Sequence, residues 1–255
     1  MADTSTSGSI MVTGAARGIG AAIAERFARS GFTVFGLDRD AEAIERSARS
    51  WPGPGSHTAV EADVVDESAV TAACARAAAV PGGLRAFIGN AGHHESGPSF
   101  DYSLESWRKM LDVHLTGCFV GARQAASAMS NGGSIIVLSS INGHVGFPGR
   151  AAYGAAKAGV AGLVRSLASE WAPDGVRVNG IAPGSIETPL SSKAIRRGVI
   201  NSDSFLNRIP MNRFGKPEEV AELAYFLGTP LSSYITGVVV PIDGGWLAQG
   251  IAADS

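Results

Sequence analysis

Tyr153 and Lys157 stand four residues apart, and Ser140 lies 13 residues ahead of the tyrosine. Residues four apart on a helix share one face, one side chain above the other, so this spacing sets an ammonium beside a phenol. A free tyrosine titrates near pH ~10, and half-ionising it at neutrality takes about 4 kcal/mol. A cation ~4 Å away at an effective dielectric of ~20 supplies about that much, before desolvation is subtracted. The pair therefore suits proton transfer at physiological pH, with Ser140 as a hydrogen-bond partner for a carbonyl or hydroxyl. A lone Tyr-x-x-x-Lys occurs in many helices by chance, and its weight depends on the rest of the chain.

The elements that must position these groups are legible as a pattern. Short β-branched runs alternate with alanine-rich helical stretches, as in a parallel sheet wound by helices. Strands are expected at 9–12, 33–37, 57–61, 86–89, 134–138, 177–181 and 238–241. Helices are expected at 18–29, 41–49, 67–79, 104–129, 152–171 and 217–227. Ile135-Ile136-Val137-Leu138 is apolar throughout rather than alternating, as burial on both faces requires. The predicted fold class is α/β, a doubly wound parallel sheet of about seven strands in three α/β/α layers. At 255 residues it is read as one domain over 1–255. Residues 1–8 read as a frayed start, and 184–214 as a substrate lid beginning at the carboxyl end of a strand.

Composition excludes several function classes. Lysine plus arginine is 21 against 23 for aspartate plus glutamate, a net charge of −2, which gives no electrostatic case for nucleic acid or an anionic membrane. No apolar run reaches the ~18 residues of a membrane helix, and the start of the chain lacks the charged and apolar regions of a signal peptide. A cytoplasmic location is expected. Cys74 and Cys118 fall in apolar helical patterns and read as buried thiols. No metal site is expected, because His93-His94 is adjacent rather than helically spaced and lacks a third ligand.

Directly after the first strand comes Thr13-Gly14-Ala15-Ala16-Arg17-Gly18-Ile19-Gly20, opening a helix. Glycines let a backbone turn tightly and approach a pyrophosphate, and the helix start offers free N–H groups and a positive dipole end. The spacing G-x-x-x-G-x-G differs from the longer G-x-G-x-x-G fingerprint, and a purely structural turn is the rival reading. The second strand ends at Asp38, where an acidic side chain can accept adenosine ribose hydroxyls and repel a 2′-phosphate, favouring NAD over NADP. Arg17 and Arg39 stand against that, since either could pair with a phosphate by turning inward. Asp63 either accepts from an adenine amino group or caps the next helix. Asn90-Ala91-Gly92 closes the fourth strand with small residues, either for cofactor approach or as a plain turn.

With these motifs in hand, the chain resembles a short-chain dehydrogenase/reductase of the compact single-domain type, a Rossmann-like fold. Thr13–Gly20, Asp63, Asn90–Gly92, Ser140, Tyr153 with Lys157, Asn179, Pro183-Gly184, Thr188 and Asp243-Gly244-Gly245 all fall in order. The resemblance implies that Tyr153 gives or takes an alcohol proton, Ser140 holds the substrate oxygen, and Lys157 acidifies Tyr153 and binds the nicotinamide ribose. It places Gly14, Arg17, Gly18, Ile19, Gly20, Asp38, Asp63, Val64, Asn90, Ala91, Gly92, Pro183, Gly184, Ile186 and Thr188 around the cofactor, and gives Asn179 and Asp243 loop-organising roles. One position departs: His114 stands where many relatives carry an asparagine that supports a water-linked proton relay. It either joins the relay and adds a pH dependence near neutrality, or fills space.

The substrate signal is thinner. His93, His144, Phe147 and Arg150 are pocket candidates, joined by His94 and by Lys193, Arg196, Arg197 and Arg208 from the lid. These groups favour a polar or anionic substrate, or are solvated surface charges. The resemblance implies a small-molecule alcohol or ketone as partner and a homotetramer, otherwise a homodimer. Gly121, Ala125, Gly159 and Gly162 would let the helices at 104–129 and 152–171 approach a second copy. The reading is an NAD-dependent enzyme interconverting a secondary alcohol and a ketone. The alternatives are an NADPH-dependent 3-oxoacyl-type ketoreductase, a non-catalytic dinucleotide sensor, and a dehydratase or epimerase on the same fold.

Overall fold

The computed structural model describes residues 8–53, 56–188 and 206–250. Its strands are β1 (Ser9–Thr13), β2 (Thr33–Asp38), β3 (Thr58–Glu61), β4 (Leu84–Gly89), β5 (Gly133–Leu138), β6 (Val176–Pro183) and β7 (Val239–Ile242). All neighbours pair in parallel, in the order β3-β2-β1-β4-β5-β6-β7. The helices are α1 (Gly18–Arg29), α2 (Ala41–Ser50), α3 (Glu67–Ala78), α4 (Leu104–Leu111), α5 (Gly117–Ala128), α6 (Ala151–Trp171) and α7 (Pro217–Gly228).

Alternation along β1 assigns the two faces. Met11 packs with α3, α5 and α6 side chains such as Cys74, Val120 and Val160. Ile10 and Val12 pack on the other face with Ile23 and Phe27 of α1 and Val220 and Leu227 of α7. Both faces are thus covered, which explains the unbroken apolar run in β5, buried from Ser134 to Leu138. The strand order reverses between β1 and β4, the crevice where open α/β sheets bind ligands outside their carboxyl ends.

The stretch predicted as one helix over 104–129 is helical from Leu104 to Ala128, with Asp112–Thr116 forming a π-helical turn between α4 and α5. Helical periodicity barely registers one extra residue in a turn, and such turns concentrate near functional sites. Three of the small residues assigned to a subunit contact are used within this chain. A methyl on Gly121 would lie 2.3 Å from Phe87 and one on Gly159 2.9 Å from Leu115, and Ala125 is fully buried. Both cysteines are buried and free, and burial pushes the Cys74 thiol up to about 12. Among the described residues no helix is long and apolar enough to cross a membrane, and no metal-binding group assembles. Residues 1–7 and most of the expected lid, 189–205, with Lys193, Arg196 and Arg197, lie outside the described residues.

Candidate active site

The glycine turn follows β1 and opens α1. Gly14 and Gly18 have φ of +65° and +58°, the left-handed region where a side chain is strained. A Cβ on Gly20 would lie 2.1 Å from the Gly14 carbonyl, so that glycine is required for the turn to pack on its own helix. The turn is also stapled from outside. Asn90 Nδ2 donates to the carbonyls of Thr13 and Gly14 at 3.0 and 3.1 Å, and the Thr13 hydroxyl accepts from the Asn90 and Ala91 N–H groups at 3.0 and 3.1 Å. Asn90 is therefore a brace between β4 and the glycine turn.

The start of α1 has no side-chain cap and no acidic residue in its first turn, so its N–H groups face outward with the positive dipole end intact. Beside it, a Cβ on Gly18 would meet only the Thr188 side chain, at 3.6 Å, which leaves the turn open and places Thr188 at its edge. The Asp38 carboxylate at the end of β2 accepts from the Ala16 and Asp40 N–H groups at 3.2 and 3.1 Å. Those two bonds fix its direction and leave further lone pairs to accept hydroxyls. Arg17, the residue that could have met a phosphate, is paired instead with Asp40 at 2.5 Å, and Arg39 is exposed. Asp63 lies beyond the end of β3 as an exposed turn residue whose carboxylate accepts from Val65 N–H at 3.2 Å. The cap of α3 is Asp66, which accepts from Ser68 and Ala69. Val64 is buried against Gly117, Pro183 ends β6, Gly184 packs against the Asp243 backbone, and Ile186 is buried beside Gly215. This outward-facing donor set, open glycine turn and oriented carboxylate fit a dinucleotide.

The second group of residues gathers at the end of β5. Lys157 is buried in α6, and its ammonium donates to the Leu138 carbonyl at 2.6 Å while lying 5.6 Å from the Tyr153 ring centroid. An ammonium has three donors; the other two meet no acceptor among the described residues. The Ser139 hydroxyl donates to the Lys157 carbonyl at 2.9 Å, and a Cβ on Gly143 would touch that carbonyl at 2.8 Å. The turn leaving β5 is thereby pinned to the first turns of α6. Ser140 sits at its start, buried, accepting from Asn142 N–H at 3.2 Å. Leu138 and Ser139 were invisible as site residues in the sequence, because a backbone carbonyl and a lone hydroxyl after a strand carry no motif.

His114 occupies the π-helical turn and is buried. Its Nε2 lies 3.1 Å from the His93 amide nitrogen and 2.9 Å from the His93 carbonyl oxygen, while Nδ1 has no partner among the described residues. Its ring packs edge-on against Tyr153, with centroids 5.2 Å apart. Only a glycine at 92 permits this, since a Cβ there would approach the imidazole to 2.4 Å. Burial, helped by the Lys157 charge, pushes His114 down to about 3, so it is a neutral imidazole at physiological pH. A titration near neutrality at this position is therefore not expected.

At the outer side, Phe147 stacks on Trp246 with centroids 5.2 Å apart and planes 20° from parallel. The Arg150 guanidinium lies 5.7 Å from the Phe147 ring and the Arg208 guanidinium 4.8 Å from the Trp246 ring. His93 and His94 lie in the loop after β4, and His144 is exposed. Asn179 and Asp243 organise loops as expected: Asn179 bonds the Ile235 carbonyl, and Asp243 accepts from Gly245 and Leu247.

The family described as Enoyl-(Acyl carrier protein) reductase matches residues 14–247. The cis-4-hydroxycyclohexanecarboxylate dehydrogenase of Sinomonas cyclohexanicum is 39% identical over 93% of this chain and 96% of its own length. The chain belongs to the short-chain dehydrogenase/reductase family. An uncharacterized short-chain type dehydrogenase/reductase of Sinorhizobium fredii is 34% identical over 94% of the chain, which spans 43% of that longer protein. A putative 2-deoxy-d-gluconate 3-dehydrogenase from Agrobacterium tumefaciens, solved with bound NADP, superposes with a TM-score of 0.86 at 33% identity, covering 98% of this chain and 100% of that one. Members of this family are NAD(P)-linked oxidoreductases acting on alcohol groups. The seven-stranded parallel sheet and the Tyr153/Lys157 helix belong to that fold.

Proposed function

We propose that this short-chain dehydrogenase/reductase is an NAD-dependent enzyme interconverting a secondary alcohol and a ketone, in the cytoplasm, with Tyr153 as acid/base. The observation that carries the reading is the buried Lys157 ammonium, tied to the Leu138 carbonyl and lying beside the Tyr153 ring, with two donors unused among the described residues. When bound, the nicotinamide cofactor supplies or takes the hydride. Lys157 binds its ribose and sets a fixed positive charge beside the Tyr153 ring. Ser140 donates to the substrate oxygen and orients the carbinol toward Tyr153, which passes the proton. Neutral His114 holds the Tyr153 ring and the His93 backbone rather than exchanging a proton itself.

Asp38 supports NAD, because its oriented carboxylate suits two ribose hydroxyls and opposes a 2′-phosphate. The NADP held by the Agrobacterium protein favours the NADPH-linked ketoreductase as second reading. Titration with NADH and NADPH, followed by nicotinamide fluorescence, separates the two. Tight NADH binding that weakens at least tenfold in Asp38→Ala is the expected result, and a preference for NADPH would overturn the cofactor assignment. Tyr153→Phe should abolish turnover while keeping dinucleotide affinity within a few-fold, which a non-catalytic sensor would not show. The name of the Sinomonas relative makes 4-hydroxycyclohexanecarboxylate, beside cyclohexanol and simple polyols, a reasonable first panel. A homotetramer is proposed, otherwise a homodimer. Light scattering of the purified protein reads the assembly directly.

A further inference from the structure

Arg150 immediately precedes α6, three residues ahead of Tyr153 and seven ahead of Lys157. Its backbone (φ −126°, ψ 30°) lies outside the helical region, and its carbonyl accepts the Gly154 N–H at 2.8 Å, so Arg150 stands at the entry of the helix that carries Tyr153 and Lys157. Its loop is held from two directions. Gly97 N–H donates to the Gly149 carbonyl at 3.0 Å, tying it to the loop after β4, and Phe147 is clamped by Trp246. The charge of Arg150 is felt across that junction by His94, whose protonation is lowered by desolvation first and by Arg150 second. Arg17, Arg123 and Arg213 each meet a carboxylate. Arg150 meets none among the described residues, and its guanidinium rests against the Phe147 ring. The acidic residue of the facing loop, Glu95, acts on His93 and Tyr102 instead.

A guanidinium partly shielded by an aromatic ring, held at the entry of the helix that carries the proposed acid/base and without an anion among the described residues, is built to receive one. We propose that Arg150 is a specificity-determining residue that takes a carboxylate on the substrate, so that the alcohols oxidised here are hydroxy acids. The proposal rests on Tyr153 being the acid/base. Arg208 lies over the Trp246 ring at the far end of the Phe147–Trp246 stack.

The test has a binding arm and a turnover arm. In calorimetry with reduced dinucleotide present, unreactive cyclohexanecarboxylate should bind about tenfold to a hundredfold more tightly than cyclohexanecarboxamide. Arg150→Gln should collapse that ratio toward one, and Arg150→Lys should recover part of it. In turnover, the kcat/KM ratio of 4-hydroxycyclohexanecarboxylate to its methyl ester should fall in Arg150→Gln by a similar factor, mostly through KM. Equal binding of acid and amide by the unmutated protein overturns the proposal, whether or not any alcohol is oxidised. So does a ratio that survives in Arg150→Gln and collapses in Arg208→Gln. Turnover of the neutral ester matching that of the acid would leave the dehydrogenase reading standing and remove this one. Failure to oxidise any panel alcohol, with selective carboxylate binding intact, would do the reverse.

Discussion

At the scale of single residues, His114 and Gly92 form a matched pair beside Tyr153. An added methyl at 92 would meet a buried ring that has no room to give, so Gly92→Ala should cost about 1–3 kcal/mol in urea unfolding. The loss should be smaller in a Gly92→Ala/His114→Asn background, because asparagine is shorter. His114 also makes stability pH-dependent. Its protonation lies at about 3 when folded and near ~6.5 when unfolded. The unfolded chain thus binds more protons between those values, and stability present above pH ~6.5 is lost as the pH falls toward ~3. Between pH ~7.5 and pH ~5 the unmutated protein should lose about 2 kcal/mol more than His114→Asn. The same neutral state predicts that His114→Asn leaves the pH–rate profile near neutrality in place. A shifted profile would show that His114 exchanges protons after all. Sequence placed this histidine at the asparagine position but could not give its environment, which depends on Gly92, Lys157 and the π-helical turn together.

Among elements, the glycine turn and the end of β4 behave as one unit. Asn90→Ala removes two bonds to the Thr13 and Gly14 carbonyls and leaves those acceptors without that partner. It should lower stability by about 1–3 kcal/mol and weaken dinucleotide binding. Unchanged affinity in a fully folded variant would mean the turn holds its shape unaided. Strands and helices were readable because apolar runs and alanine-rich stretches repeat with fixed periods. The candidate site was proposed where chemistry demands a residue type at a spacing, as at Gly14, Gly18, Gly20, Ser140, Tyr153 and Lys157. What escaped the sequence was contact between distant segments: the pairing of Arg17 with Asp40 and the Phe147–Trp246 stack. Neither of these has a local period or motif, since each depends on which loops the sheet order brings together.

For the molecule as a whole, a ligand that binds only the folded state stabilises it by mass action. Dinucleotide at 100 times its dissociation constant should add about 2.7 kcal/mol, equivalent to a rise of roughly 5–10 °C in Tm for a chain of this size. Asp38→Ala should reduce that rise for NADH. The sheet itself carries a kinetic consequence. None of its strand pairs is a hairpin: Ser9 of β1 meets Leu84 of β4, and Ala86 of β4 meets Ser134 of β5. Chain closure over such separations must precede the contacts that reward it, so refolding from denaturant should be slow. Until β7 docks, the edge of β6 is open to strands from other molecules. Recovery of active protein should therefore fall as refolding concentration rises, while the activity of each molecule that does refold stays the same.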